Sequence, residues 1–182
     1  MRPSYEQSVA TLKQRVEIVG DPLPSLDRRP RHDDDVLGPS IVRMQVADVS
    51  AAGLTLPCLY VGRSELRKVV FAGADLHLST LNWNDVVECD FSKADFVEAD
   101  LRACRFRQCT FRGADLSRAD LRGSTFDRCL FDGASMRGTR LQRPRRRLGF
   151  LRVGASQESL PLSGEQRKLV DWCEDAPEPG GG

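Results

Sequence analysis

A large apolar residue stands at every fifth position from Leu66 to Leu141. The series runs Leu66, Phe71, Leu76, Leu81, Val86, Phe91, Phe96, Leu101, Phe106, Phe111, Leu116, Leu121, Phe126, Phe131, Met136, Leu141. Two residues before each lies a second, mostly small series: Ser64, Val69, Ala74, Ser79, Asn84, Cys89, Ala94, Ala99, Cys104, Cys109, Ala114, Ala119, Ser124, Cys129, Ala134, Thr139. The register holds without insertion or deletion. A helix needs apolar positions about 3.6 apart and a half-buried strand needs alternation, so a period of five fits neither. It fits a solenoid, in which each unit buries its apolar side against the units above and below. The two series point inward together, as strand neighbours at i and i−2 do. The intervening positions are mostly polar, charged or glycine and face water.

One turn per five residues suits a coil with four sides, so residues twenty apart should stack in a column. Phe71, Phe91, Phe111 and Phe131 then form an aromatic column, and Leu81, Leu101, Leu121 and Leu141 a leucine column. Val69, Cys89, Cys109 and Cys129 stack beside the phenylalanines, while Ala74, Ala94, Ala114 and Ala134 stack as alanine. Like on like keeps every layer the same width, at the strand spacing of about 4.8 Å.

The units Ala74-Asp75-Leu76, Ala94-Asp95-Phe96, Ala99-Asp100-Leu101, Ala114-Asp115-Leu116 and Ala119-Asp120-Leu121 resemble the A-(D/N)-L-x-x signature of pentapeptide-repeat proteins. The resemblance implies an all-β solenoid, a right-handed quadrilateral β-helix, with short helical segments at its flanks. Expected divisions are an N-terminal amphipathic helix and Pro/charged linker over 1–40, the β-helix with degenerate first coils over 41–142, and a basic linker, short C-terminal helix and disordered tail over 143–182.

At the N-terminus, Ser4 and Gln7 match a capping box. Tyr5, Val9, Leu12, Val16 and Val19 share one face of a helix from Pro3 to Gly20. That helix is expected to cap the open end of the coil or to lie across apolar residues at outward positions, namely Val70, Leu78, Trp83, Val87 and Val97. Ile41, Val42, Met44 and Val46 suggest a strand leading into degenerate coils, with Ala51 weak in the register. Near the C-terminus, Ser163 and Gln166 match a second capping box for a helix expected to run to Ala176. Its patch of Leu169, Val170, Trp172 and Cys173 caps the last coil or pairs with a second copy to give a homodimer.

Charge balance is near neutral, at +1, and gives no general argument for nucleic acid or membrane binding. No apolar run is long enough to span a bilayer and the first twenty residues do not read as a signal peptide, so a cytoplasmic location is expected. Acids predominate between Arg63 and Asp100, and arginines from Arg102 to Arg147. Most are expected to be solvated, with cross-coil pairs such as Arg107 over Asp127 and Arg112 over Asp132. Arg143-Pro144-Arg145-Arg146-Arg147 reads equally as a phosphate-binding run or as a solvated linker.

No catalytic residue, cofactor fingerprint or metal motif stands out, and neither histidine, His32 or His77, lies in one. His32-Asp33-Asp34-Asp35 lacks the glycine-spaced loop of a calcium site and reads as a solvated charge run. The repeat aspartates are expected to be exposed, hydrated and unperturbed. Cys89, Cys104, Cys109 and Cys129 sit in the small inward series and read as packing residues. Neighbours in one column could reach disulfide distance, about 4.8 Å between Cα atoms against roughly 4.4–6.8 Å allowed, but a reducing compartment opposes the bond.

The expected function is therefore a non-enzymatic protein-binding scaffold without a cofactor. Its interaction surface is expected to draw on Trp83, Val87, Arg102, Arg122, Arg145, Arg146, Arg147 and Trp172. Nucleic acid is the rival ligand. The resemblance implies a further alternative, since the Qnr and MfpA groups bind DNA gyrase as DNA mimics and protect it from drugs or toxins. Those rods are strongly acidic, and the later coils of this chain are basic. A cysteine-based metal or redox protein is the third alternative.

Overall fold

A computed structural model describes residues 2–16, 40–142 and 161–173. Its centre is a four-sided β-solenoid. Strands β1 (Ser40–Val42), β3 (Tyr60–Gly62) and β5 (Thr80–Asn82) form one parallel sheet. A second sheet runs β2 (Gln45–Ala47), β4 (Glu65–Arg67), β6 (Asp85–Val87), β7 (Arg105–Arg107) and β8 (Thr125–Asp127). Every paired residue within these sheets lies twenty from its partner, as in Ile41↔Val61↔Leu81 and Val86↔Phe106↔Phe126. Single bridges of the same spacing, such as Asp75↔Asp95↔Asp115, continue the stacking on the other sides.

The corners explain the period. The fifth residue of each unit sits in the left-handed region, from Arg43 (φ 55°) through Trp83 (φ 58°) to Arg128 (φ 53°), with glycine at positions such as Gly73 and Gly113. An L-residue costs about 1–2 kcal/mol there. Corner N–H groups donate to the coil above, as Gly73 does to the Ser92 carbonyl at 2.7 Å. Stacking thus holds a backbone shape that a lone unit would not keep.

The interior is side chain throughout. Phe71, Phe91, Phe111 and Phe131 stack with centroids 5.5, 5.0 and 4.9 Å apart. Phe106 and Phe126 form a second stack at 5.0 Å, edge-on to the first. Leu81, Leu101, Leu121 and Leu141 are fully buried. Buried polar members of the small series serve the corners: Asn84 Oδ1 accepts from the Ser64 N–H at 2.8 Å, and its Nδ2 donates to the Val61 carbonyl at 2.8 Å.

The first coils stack in the same register of twenty. Ala51 is fully buried, and Leu54 is large where later coils carry alanine. Large and small residues have exchanged places between the two inward series, which conserves volume within the coil. Arg43 turns the chain between β1 and β2, splitting the single expected strand.

Both ends carry a capping-box helix. Helix α1 (Tyr5–Arg15) starts at Ser4 as predicted but stops at Arg15, and Val16 is already extended. Its buried face of Tyr5, Val9 and Leu12 joins the core. Ser8 Oγ accepts from the Thr55 N–H at 2.8 Å, and Arg15 donates to the Ser50 carbonyl at 2.6 Å. Those backbone groups have no coil below them among the described residues. The helix therefore closes the end of the stack, and Trp83 stays 68% exposed, which corrects the expectation that α1 covers it. Positions 17–20 of the expected helix, the linker 21–39 with His32–Asp35, and Arg143–Arg147 lie outside the described residues.

At the other end β9 (Arg140–Gln142) pairs in parallel with β10 (Asp171–Cys173). Helix α2 (Gly164–Leu169) precedes β10 and is shorter than predicted. The unpaired ladder of the last coil recruits 171–173 as a strand, which overrides local helix propensity. Gln166 serves helix and coil together. Its Oε1 accepts from the Ser163 N–H at 2.9 Å, while Nε2 donates to the Phe131 and Ala134 carbonyls at 2.8 and 2.9 Å. The C-terminal segment thus caps the last coil.

Candidate interaction surface

With a filled interior, recognition falls to the outside. The repeat aspartates there are chiefly structural. Asp90, Asp95, Asp100, Asp115 and Asp120 each accept from the N–H two residues on, at 2.8–3.1 Å. They are less exposed than the sequence suggests, and Asp75 is buried. Burial pushes the Asp120 carboxyl up, but hydrogen bonds and charge from Arg122 outweigh it and the net direction is down. This corrects the expectation of freely hydrated carboxylates, and at Asp120 of an unperturbed one: the turn brings these side chains onto their own backbone.

The same pairing occupies two arginines expected on the interaction surface. Arg102 Nη2 lies 2.7 Å from Asp100, and Arg122 Nη2 lies 2.6 Å from Asp120. Arg112 and Asp132 pair across coils at 3.0 Å as predicted. Arg107 and Asp127 stack in register but form no ion pair among those described. Val87 is buried, in register between Arg67 and Arg107. Trp172 belongs to the C-terminal cap and donates its ring N–H to the Arg167 carbonyl at 3.3 Å.

Trp83 stands apart. Its column of corner residues runs Arg43, Arg63, Trp83, Ala103, Gly123. Beside it lies a groove of about 390 Å³ lined by Arg43, Gln45, Arg63, Glu65, Trp83 and Asp85. Glu65 pairs with Arg67 at 3.0 Å, and Asp85 with Arg105 at 3.8 Å. Arg43 and Arg63 have no ion pair among the described residues. A search for apolar and arginine-rich positions misses these two. Their spacing of twenty from each other and from Trp83 is the available signal.

His77, which belongs to no sequence motif, also has close partners. Its Nδ1 is hydrogen-bonded to Asp75 Oδ1, and atoms of Asp75, His77 and Asp95 lie within 4.8 Å of one another. One imidazole and two carboxylates are suitable donors for a divalent metal. The Asp75–Asp95 stacking also follows from the period of twenty. No cysteine is in a disulfide, and the inward ones bond to backbone: Cys104 Sγ donates to the Leu81 carbonyl at 2.8 Å, and Cys89 Sγ accepts from the Val69 N–H at 3.4 Å. Burial pushes the Cys104 thiol up to about 12, away from thiolate chemistry.

Residues 61–136 match the family described as pentapeptide repeat region. Among solved structures, a pentapeptide repeat protein from the cyanobacterium Cyanothece 51142 is 18% identical, with TM-score 0.43, over 50% of this chain and 58% of that one. One from the Arabidopsis thaliana thylakoid lumen is 26% identical, with TM-score 0.27, over 68% and 74%. QnrB1, a plasmid-mediated fluoroquinolone resistance protein, is 12% identical, with TM-score 0.30, over 57% and 73%. No curated protein matches the chain. No described helix is long and apolar enough to cross a membrane.

Proposed function

We propose, from the premise that residues 61–136 are a pentapeptide repeat region, that this chain is a non-enzymatic scaffold that binds another protein through its outer surface. One observation carries the reading. A column filled by stacked phenylalanine presents, on a corner, a tryptophan that is 68% exposed. Tryptophan and arginine are among the residues that dominate the energy of protein interfaces. The rod holds them at fixed spacing, so little ordering cost opposes binding. A cytoplasmic location is part of the proposal, as is the three-part division at 40 and 142.

The test is affinity capture with the intact chain, followed by titration of the purified captured protein. The scaffold reading expects a saturable complex that survives the change Asp75→Asn/His77→Ala. Tight binding of duplex DNA, weakening with salt as several phosphate contacts demand, would overturn it in favour of nucleic acid. Inhibition of gyrase supercoiling in the same series would identify the topoisomerase alternative.

A further inference from the structure

Trp83 does nothing for the fold that a smaller residue would not do better. Its φ of 58°, shared by every corner of the coil, is in the region that favours glycine. The same column carries Ala103 one coil on and Gly123 two coils on. The backbone conformation is common to every corner, so what sets Trp83 apart is a large indole left 68% exposed. The indole is also not isolated. Arg63 and Arg43 continue its column below, and Val42, next to Arg43, is 42% exposed.

The charge around the groove is unbalanced. Its two carboxylates, Glu65 and Asp85, are each matched by an arginine outside it, Arg67 and Arg105. Its two arginines have no matching acid among the described residues. The lining by itself is formally neutral, two arginines against two carboxylates; with Arg67 and Arg105 engaging those carboxylates, the surface around the indole carries an excess of positive charge.

We propose that the Arg43–Arg63–Trp83 corner is the docking site for an acidic segment of the protein partner, with carboxylates on the two guanidinium groups and an apolar side chain on the indole. This rests on the scaffold reading and deepens it. Guanidinium forks take carboxylates in two-pronged hydrogen bonds. Two corners one coil apart are separated by about 4.8 Å, and side chains at i and i+2 of an extended peptide lie on one side at about 6.6–7 Å. Long arginine side chains bridge that difference. A peptide of the form acid–x–acid with a flanking apolar residue fits the corner.

The chain has two tryptophans, so the variant Trp172→Phe leaves Trp83 as the only indole reporter. Its emission is followed against the peptide Ac-Glu-Ser-Glu-Ser-Phe-NH2, the lysine analogue, and an oligothymidylate. Calorimetry on the unaltered chain repeats the measurement without the substitution. The expected result is saturable binding of the acidic peptide below about 1 mM, weakened by salt and absent with the lysine analogue. Arg43→Glu/Arg63→Glu should weaken it by at least about tenfold, while Arg118→Glu on another corner should not. Trp83→Gly should abolish it and leave the denaturation midpoint unchanged or raised. No saturation, an equal response to the lysine analogue, indifference to Arg43→Glu/Arg63→Glu, or tighter binding of the oligothymidylate would overturn the proposal. A captured protein that binds the Arg43→Glu/Arg63→Glu variant normally would refute this corner and leave the scaffold reading standing. Failure of the intact chain to bind any protein would refute both.

Discussion

Replacing Gln166 with glutamate tests whether the C-terminal cap is held as the geometry indicates. The substitution keeps the shape and keeps Oε1 as acceptor for the Ser163 N–H, so the capping box survives. It removes both N–H bonds donated to the Phe131 and Ala134 carbonyls. Each such bond contributes about 0.5–1.5 kcal/mol net, and a buried acceptor left unsatisfied costs about 1–3 kcal/mol. A carboxylate facing two carbonyl oxygens adds repulsion. The expected loss is about 2–4 kcal/mol of cap docking, concentrated in the terminal unit because a solenoid couples only neighbours. Hydrogen exchange reads it directly, at the Gly138 N–H on the Leu169 carbonyl and the Asp171 N–H on the Thr139 carbonyl. Those amides should exchange at least about thirtyfold faster, at about 1.4 kcal/mol per tenfold. Amides near β3, at the far end of the stack, should not change. Once protonated, the introduced carboxyl can donate again, and its folded pKa would lie above the unfolded value of about 4.3. The stabilising bond is then present below that pH and lost as pH rises through the folded pKa, so the defect should shrink in acid. Unchanged exchange at Gly138 and Asp171 would refute the reasoning.

Three further outcomes are expected. Tyr5→Phe should be neutral or stabilising by up to about 1 kcal/mol in thermal unfolding, because the Tyr5 hydroxyl is buried with no hydrogen-bond partner among the described residues; a destabilisation would reveal a bond. Asp120 has its folded carboxyl lowered, so its contribution is present above the unfolded pKa and lost as pH falls through the folded one; Asp120→Asn should cost more at about pH 7 than at about pH 3, and an equal cost would contradict this. Cys109→Ala should fold as the same rod, with chelator leaving its midpoint unchanged; loss of structure on chelation would contradict a packing role.

Most of the architecture is legible because one residue in five must face inward and the register never slips. That arithmetic predicts Phe111 over Phe91 and Arg112 beside Asp132. The ends are less legible. Ser163 and Gln166 announce a helix, but nothing local shows that 171–173 becomes a strand, since that depends on the open edge of β9. Surface roles are partly hidden for a similar reason. Arg102 and Arg122 look available as a basic patch until the turn folds each onto the aspartate two residues back. Arg43 and Arg63 lie outside that motif and have no ion pairs among the described residues. Only folding the sequence into columns of twenty places them next to Trp83.

The interior of the rod is given to packing and its exterior to recognition. Denaturant titration of Phe111→Ala against Arg118→Ala tests that division most directly. Phe111 is fully buried, stacked on Phe91 and Phe131 and edge-on to Phe106 and Phe126. Its loss should cost about 3–5 kcal/mol, toward the upper end because the ring interactions go with it. Arg118 pairs with Glu98 at 2.8 Å in solvent, and its loss should stay within about 0.5 kcal/mol. A large loss at Phe111 beside a negligible one at Arg118 is the predicted result, and equal losses at both would contradict the division.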